Sequence, residues 1–318
     1  MQEREQVICS PRGSEAQPTV ADRSSPIPER FRGLIGGTPL CRIQRLCRRD
    51  DLELYGKLEG TNLGGSVKDR AALAMIEAAE RSGQIEGRRL LEATSGNTGI
   101  ALALIASLRG RPITLVMPDT ATRERVATMR AYGATVELVS GGMEAAIDRA
   151  RSLEATGDYL MINQFGNPAN PQMHYETTGP ELFTQTDGRI THFVSAMGTT
   201  GTIMGSSRYL KEQRSAIQIV GVQPAGASKI PGIRRWAPEY LPAIFEPERI
   251  DQLIDVTAEA AMETARRLTR EEGIFCGPSS GGAAWAALQV AERAPAGSVI
   301  VFIVCDRGDK YLSMEGLF

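Results

Sequence analysis

The sequence predicts a two-lobed α/β protein with mostly parallel sheets and with helices on both faces of each sheet. The chain has 318 residues, which is roughly twice the usual length of one domain. Short apolar runs alternate with helical stretches of about 10–15 residues, a pattern typical of parallel sheets. A Gly- and Pro-rich cluster at 166–171 separates two such series, so we expect the boundary between the lobes there.

The composition excludes several classes of protein. Thirty-six Lys and Arg residues against 38 Asp and Glu residues give a net charge of −2, and no basic stripe with interleaved aromatic residues suggests a nucleic-acid partner. No apolar run approaches the ~20 residues of a membrane span, and no apolar leader is visible. Five scattered cysteines and two histidines favour neither a disulfide framework nor a metal centre. We therefore expect a cytoplasmic protein with no membrane partner.

The first series of elements follows a tail. Residues 1–30 are rich in Pro and polar residues, so we expect a flexible N-terminal tail. Apolar residues at helical spacing predict helices at 69–82 and 100–108, because Gly83 and Gly110 follow as stop signals. The predicted strands of this series are Leu52–Leu58, Leu90–Ala93, Ile113–Met117, Thr135–Val139 and Tyr159–Asn163.

The second series follows the cluster at 166–171. Its predicted strands are Ile190–Ser195, Ile217–Val222, Ile250–Val256 and Val299–Val304. Its predicted helices are Thr202–Gln213, Ala258–Glu272 and Gly282–Glu292. The segment 223–247 is a long, irregular loop rich in Pro and Gly, and such loops are often functional.

A lysine stands at the start of the first long helix. The loop Asn62–Arg70 places Lys68 at a helix N-terminus, where the helix dipole disfavours an ammonium group and favours a neutral amine. A neutral amine is what a Schiff-base lysine requires. For a single lysine, the alternative of a solvated side chain in a first helical turn remains open.

Three further polar loops lie between a predicted strand and a predicted helix. The loop 94–99 offers hydroxyls, an amide and free backbone N–H groups, which suit a small carboxylate. The Gly- and Thr-rich loop 197–202 suits a phosphate group, but it matches neither the Walker pattern of nucleoside triphosphate binding nor the dinucleotide-binding fingerprint. The loop 277–282 opens another helix with two hydroxyls. Together with Lys68, these loops fit a phosphorylated aldehyde cofactor and an amino acid.

These motifs resemble a known family. The segments Gly64–Arg70, Thr94–Gly99, Gly198–Thr202 and Gly277–Gly281 resemble the pyridoxal-phosphate cysteine synthases of fold type II, whose fold is like that of the tryptophan synthase β subunit. The resemblance extends from about residue 34 to residue 313. It is nearest to the B branch of that family, the O-acetylserine sulfhydrylases B, because the chain has Gly232–Trp236 and Cys305–Tyr311.

The resemblance implies a role for each matching residue. Lys68 would hold pyridoxal phosphate as a Schiff base and act as the acid–base group, Asn97 would hydrogen-bond the phenolic oxygen of the cofactor, and Ser279 would face its pyridine nitrogen. The residues that would bind the cofactor phosphate are Gly198, Thr199, Thr200, Gly201 and Thr202. The residues that would bind the substrate carboxylate are Thr94, Ser95, Thr98 and Gln164.

A second anion and a thiol complete the expected site. Arg234 and Arg235 suit an anion such as thiosulfate or the phosphate of O-phosphoserine, although solvated loop charges are the alternative. Cys305 lies in a segment near the active site of the family, but a buried cysteine more often simply packs. Two departures from the family pattern are Gly37, where an Asn or His is usual, and the early end of the chain at Phe318.

The family resemblance also implies an activity and a domain organisation. The expected reaction is replacement of the acetoxy group of O-acetyl-L-serine by sulfide or thiosulfate, giving cysteine or S-sulfocysteine in a homodimer. Residues 31–57 would cross onto the C-terminal lobe, 58–165 would form the smaller lobe and 166–318 the larger lobe. The alternatives are an O-phosphoserine sulfhydrylase, a cystathionine-forming or dehydratase activity, and a non-enzymatic binding partner of another cysteine-pathway protein.

Overall fold

The computed structural model describes residues 29–318, so nearly all of the tail expected at 1–30 lies outside the described residues. The strands are β1 Leu40–Arg42, β2 Glu53–Leu58, β3 Arg89–Ala93, β4 Ile113–Pro118, β5 Thr135–Val139, β6 Tyr159–Met161, β7 His192–Ala196, β8 Gln218–Pro224, β9 Gln252–Val256 and β10 Val299–Val304. The helices are α1 Glu29–Arg32, α2 Lys68–Arg81, α3 Asn97–Leu108, α4 Arg123–Ala131, α5 Gly142–Glu154, α6 Ala169–Met173, α7 Gly179–Gln185, α8 Gly201–Gln213, α9 Ala258–Glu272 and α10 Pro278–Arg293.

The strands form two sheets, as the alternating pattern predicted. The larger sheet has the order β1-β2-β10-β7-β8-β9, and the smaller sheet has the order β5-β4-β3-β6. Every pairing is parallel except that of β1 with β2. The predicted α/β class with mostly parallel sheets is therefore confirmed. Because β2 pairs with β10, an early segment of the chain belongs to the same sheet as the last strand.

Each sheet is built around strands that are apolar on both faces. All six residues of β4 and all six of β10 are buried, as expected for parallel strands covered by helices on both sides. Helices α9 and α10 pack closely because Gly281 has no side chain: a Cβ there would lie 2.0 Å from the carbonyl oxygen of Ala261. No helix within residues 29–318 is long and apolar enough to cross a bilayer.

The cluster predicted as a turn is partly helical. The chain turns at Asn163–Gly166, where the backbone N–H of Gly166 donates to the carbonyl of Asn163 at 3.1 Å. Helix α6 then begins at Ala169 and contains Pro171, because proline is tolerated in a first helical turn, where its missing N–H is not needed. A π-helical turn at His174–Thr178 connects α6 to α7.

A buried ionic network joins α2 to the larger sheet. The guanidinium of Arg70, which is fully buried, donates to both carboxylate oxygens of Glu59 at 2.8 and 2.9 Å and to those of Glu181 at 2.7 and 2.8 Å. Lys57 on β2 donates to Glu181 at 2.6 Å and to the carbonyl of Thr38 at 2.6 Å. Two cations, Arg70 and Lys57, thus face two carboxylates, Glu59 and Glu181. Arg70 lies two residues after Lys68 in the chain.

Candidate functional site

Lys68 is the first residue of α2, as the sequence predicted. It is half-buried, and no hydrogen-bond partner of its Nζ is found within residues 29–318. Burial lowers the pKa of the amine, and the nearby Cys305 and Asp306 oppose this only in part. The lowered pKa favours the neutral amine, which is the nucleophilic form.

The loop 94–99 runs from the end of β3 into α3. Thr94 is buried and accepts a hydrogen bond from the backbone N–H of Gly96 at 3.3 Å. Asn97 begins α3, and its Nδ2 donates to Asp306 Oδ2 at 2.6 Å. The carbonyl oxygen of Ser95 accepts a hydrogen bond from Arg125 at 3.0 Å. The loop therefore contacts the segment that follows β10, and β10 lies in the other sheet.

Thr98 and Gln164 meet although they are far apart in the chain. Thr98 Oγ1 donates to Gln164 Oε1 at 2.6 Å, and both side chains are buried. Gln164 Nε2 donates to Glu92 Oε1 at 3.1 Å. Two of the predicted carboxylate-binding residues thus lie in one hydrogen-bonded group.

The loop 198–202 has the geometry of an anion site. Thr200 adopts φ 71°, a left-handed conformation that is uncommon for a residue other than glycine. It stands directly before α8, whose first N–H groups have no partner within the helix. Such N–H groups and the helix dipole together favour a phosphate. Gly198 lets the backbone of Gly232 pack closely against this loop, because a Cβ at position 198 would lie 2.9 Å from the carbonyl oxygen of Gly232.

Ser279 and Cys305 lie together beside Lys68. Ser279 is in the first turn of α10 and is buried. It packs closely against Gly232, because a Cβ added to that glycine would lie 3.2 Å from Ser279 Oγ. Burial raises the pKa of the Cys305 thiol to about 11, Asp306 adds to the rise, and Lys68 and Ser279 oppose it. The thiol is therefore neutral at neutral pH.

The two arginines of the long loop lie in different places. Arg234 is an exposed residue whose guanidinium carbon lies 5.5 Å from the centroid of the Trp236 ring, and partial burial lowers the pKa of this guanidinium. Trp236 Nε1 donates to the carbonyl of Gly198 at 2.9 Å. Arg235 instead pairs with Asp255 at 2.5 Å and donates to the carbonyl of Pro224 at 3.0 Å. Arg235 is thus paired with a carboxylate, whereas Arg234 has no acidic partner within residues 29–318.

Sequence reasoning assigned no role to three residues at this site. Asp306 follows the apolar strand β10 and accepts hydrogen bonds from Asn97 at 2.6 Å and Tyr311 at 2.5 Å. Glu92 is an acidic residue within the otherwise apolar end of β3. Trp236 packs edge-on against Phe165, with the ring centroids 5.3 Å apart. An acid within or directly after a buried strand was a usable signal for the first two, whereas nothing in the sequence indicated the contacts of Trp236.

The residues present fit a phosphorylated aldehyde cofactor. Within residues 29–318, Asn97 Oδ1, Thr200 Oγ1 and Asp306 Oδ1 are buried and have no hydrogen-bond partner. They are three of ten such side-chain atoms within these residues, and because they lie on the loops described above they are free to bond a polar ligand there. Thr200 suits the phosphate and the amine of Lys68 suits the aldehyde.

Comparisons with known proteins agree with this geometry. The profile of the family described as "Pyridoxal-phosphate dependent enzyme" matches residues 31–306. Cysteine synthase B of Salmonella typhimurium is 56% identical over 287 residues, which are 89% of this chain and 94% of that protein. A cysteine synthase structure from Entamoeba histolytica is 34% identical with a TM-score of 0.86, covering 95% of this chain and 94% of that one. An O-acetylserine dependent cystathionine β-synthase structure from Helicobacter pylori is 35% identical with a TM-score of 0.84, covering 91% and 98%.

Proposed function

The chain belongs to the family of pyridoxal-phosphate dependent enzymes, and we propose that it is a cysteine synthase. It replaces the acetoxy group of O-acetyl-L-serine with sulfide or thiosulfate, which gives L-cysteine or S-sulfocysteine and acetate in cysteine biosynthesis. The observation that carries the proposal is the amine of Lys68, which has a lowered pKa and lies near Asp306, the residue that Asn97 of the loop 94–99 contacts at 2.6 Å. The cysteine synthases to which the chain is similar support the choice of O-acetylserine.

Lys68 binds the cofactor and moves the proton. Bound pyridoxal phosphate supplies an electron-withdrawing ring that makes the α-hydrogen of the amino acid acidic. Because burial keeps the pKa of Lys68 low, its Nζ is neutral for a larger fraction of the time and can accept the α-proton as a general base. The same Nζ, once protonated, returns a proton to the α-carbon when the product forms.

The polar loops hold the two anionic groups apart. Thr94, Ser95, Thr98 and Gln164 bind the substrate carboxylate through hydroxyl, backbone and amide donors. The loop 198–202 binds the cofactor phosphate with the first N–H groups of α8 and the hydroxyls of its threonines. Holding both anionic groups in place would fix the orientation of the amino acid relative to Lys68.

Ser279 would face the ring nitrogen of the bound cofactor. A neutral hydroxyl stabilises a protonated ring less than a carboxylate does, and this favours loss of the β-leaving group over transfer of the amino group. We expect Ser279→Asp to lower the rate of β-replacement by about tenfold or more and to yield new side products, because the added carboxylate would lie in a buried position. Chromatography of the products measures both effects. Ser279→Ala, which stays neutral, is the matched control and should keep the product spectrum; an unaltered spectrum in Ser279→Asp would contradict this role.

A two-by-two assay tests the proposed reaction. Purified holoenzyme is given O-acetylserine or O-phosphoserine with sulfide or thiosulfate, and cysteine and S-sulfocysteine are quantified. Turnover of acetylserine with either sulfur donor supports the proposal, and turnover of phosphoserine alone favours an O-phosphoserine sulfhydrylase. Because one structural relative is an O-acetylserine dependent cystathionine β-synthase, a third acceptor, homocysteine, tests that alternative.

Arg234 is proposed to bind the anionic reactant. Its guanidinium lies beside Trp236 and has no acidic partner within the described residues. We expect Arg234→Ala to raise the KM for thiosulfate or phosphoserine about tenfold, because one charge-assisted contact is lost, and to leave the KM for sulfide within about twofold. Arg235→Ala, on the next residue but paired with Asp255, is the matched control. Equal effects of the two variants on every donor would contradict the assignment.

The same proposal extends to the organisation of the protein. The two sheets support the predicted division into residues 58–165 and 166–318, with 31–57 joining the larger lobe through β1 and β2. We propose a homodimer that acts in the cytoplasm, and light scattering of the purified protein measures its mass. Free thiols at Cys41, Cys47, Cys276 and Cys305 suit a reducing compartment.

A further inference from the structure

The side chain of Gln164 is held from two sides. Thr98 donates to its Oε1, and its Nε2 donates to Glu92. The backbone is fixed as well: Asn163 adopts φ 56°, a left-handed conformation, and Asn170 Nδ2 donates to the carbonyl oxygen of Gln164 at 2.9 Å. Position and direction of this amide are therefore set by its neighbours.

Glu92 is a carboxyl group inside the smaller sheet. It is 2% exposed, lies on β3, and its partners within residues 29–318 include no arginine, lysine or histidine. Burial raises the pKa of Glu92 to about 7, the Gln164 side chain and the backbone N–H groups of Asn163 and Gln164 limit the rise, and Glu154 adds to it. A buried carboxyl without a cationic partner is costly, so we ask what Glu92 does for the residues that it contacts.

The role follows from what each partner of Gln164 can do. A glutamine amide has nearly the same shape in either orientation, and the Thr98 hydroxyl can donate or accept, so it permits both. An ionised carboxylate can only accept hydrogen bonds, so Glu92 requires Nε2 to face it. Nε2 carries two hydrogens, and the one that Glu92 does not use remains available as a donor. The opposite orientation would offer a carbonyl oxygen, which repels a carboxylate.

We propose that Glu92 is a positioning residue for substrate binding, which fixes the Gln164 amide so that an N–H, and not the carbonyl oxygen, meets the substrate carboxylate. This inference rests on the proposed function, in which Gln164 binds that carboxylate. Glu92 acts through Gln164 and does not touch the substrate.

Glu92→Gln tests the proposal because it keeps the volume and removes the obligatory acceptor. We expect the KM for O-acetylserine to rise about tenfold, the loss of roughly one oriented hydrogen bond, while kcat at saturation stays within about twofold. Thr114→Val on the adjacent strand β4 is the matched control, because Thr114 is also buried and its Oγ1 has no partner among residues 29–318. Its KM should not change. A fall in kcat with no change in KM for Glu92→Gln would overturn the proposal.

A double-mutant cycle separates positioning from a general structural effect. If Glu92 acts through Gln164, Glu92→Gln should raise KM no further when Gln164→Ala is already present. Additive effects would overturn the proposal. The wild-type KM should also rise as the pH falls below about 7, because protonated Glu92 can donate and no longer dictates the amide orientation. The KM of Glu92→Gln should lack this component, and identical pH profiles would count against the role.

A binding measurement keeps this inference distinct from the proposed activity. The absorbance of the bound cofactor reports the affinity for an unreactive L-amino acid and for the corresponding amine, which lacks the carboxylate. Glu92→Gln should weaken binding of the amino acid about tenfold and leave the amine unchanged. Equal weakening of both compounds would overturn the inference. If the wild type formed no cysteine from any donor, the proposed function would fail while this comparison still tested Glu92.

Discussion

Lys68→Ala is expected to lower the rate of cysteine formation by about 10³-fold or more, because one amine serves as both the cofactor-binding group and the general base. The loop 198–202 remains intact in this variant, so we expect cofactor binding to be weakened and the cofactor is supplied in excess. Turnover is measured with O-acetylserine and sulfide at saturating pyridoxal phosphate. Full turnover in Lys68→Ala would contradict the role of the lysine. Full cellular function of a Lys68→Ala variant that has no turnover would instead favour a non-catalytic binding protein.

Labelling identifies the lysine independently of activity. Borohydride reduction fixes the cofactor on the lysine that holds it, and peptide mapping should find the label on Lys68. The buried Lys57 and the partly buried Lys310 are the natural comparison, since their amines are already engaged by Glu181 and by the carbonyls of Gly64 and Gly65. Lys211→Ala, which removes an amine paired with Asp251 on the surface, should retain normal turnover. Label on any lysine other than Lys68 would contradict the assignment.

Local patterns predicted the elements well. Apolar runs bounded by glycine located the strands, and the spacing of small and apolar residues located α2, α9 and α10 to within a few residues. These features depend on the neighbouring residues in the chain, which a sequence contains directly. Helix α6 differs from the turn that Gly and Pro predict at 166–171, because Pro171 lies in a first helical turn, where proline is tolerated.

The contacts between distant loops could not be predicted in the same way. The pairing of Asn97 with Asp306 crosses 209 positions of the chain, and no local pattern specifies such a partner. The same limit explains the arginines: Arg234 and Arg235 are adjacent and chemically alike, and only the fold directs one toward Trp236 and the other toward Asp255. The family resemblance implied the roles of Lys68 and the polar loops, but it did not indicate which distant residues, such as Asp306, contact those loops.

The network around Arg70 predicts the largest effect on stability. Burial alone would raise the pKa of Glu181, but the hydrogen bonds and charge of Arg70, and then those of Lys57, lower it to about 2. A carboxyl whose folded pKa lies below its usual value contributes stability that is present above about pH 4.5 and is lost as the pH falls toward about 2. The network therefore stabilises the folded chain at neutral pH only while both cations remain.

Arg70→Ala should destabilise the protein by about 3–5 kcal/mol, because it leaves Glu59 fully buried without its cation. The melting temperature should fall by about 10 °C, measured by circular dichroism at equal cofactor loading. Arg151→Ala is the matched control: Arg151 pairs with Asp148 at 3.8 Å with both side chains more than 70% exposed, and such pairs contribute only about 0–1 kcal/mol. Arg70→Lys keeps the charge but loses the bidentate contacts, so its melting temperature should fall between those of the wild type and Arg70→Ala. A shift in Arg70→Ala no larger than in Arg151→Ala would show that the buried network does not hold α2 on the larger sheet.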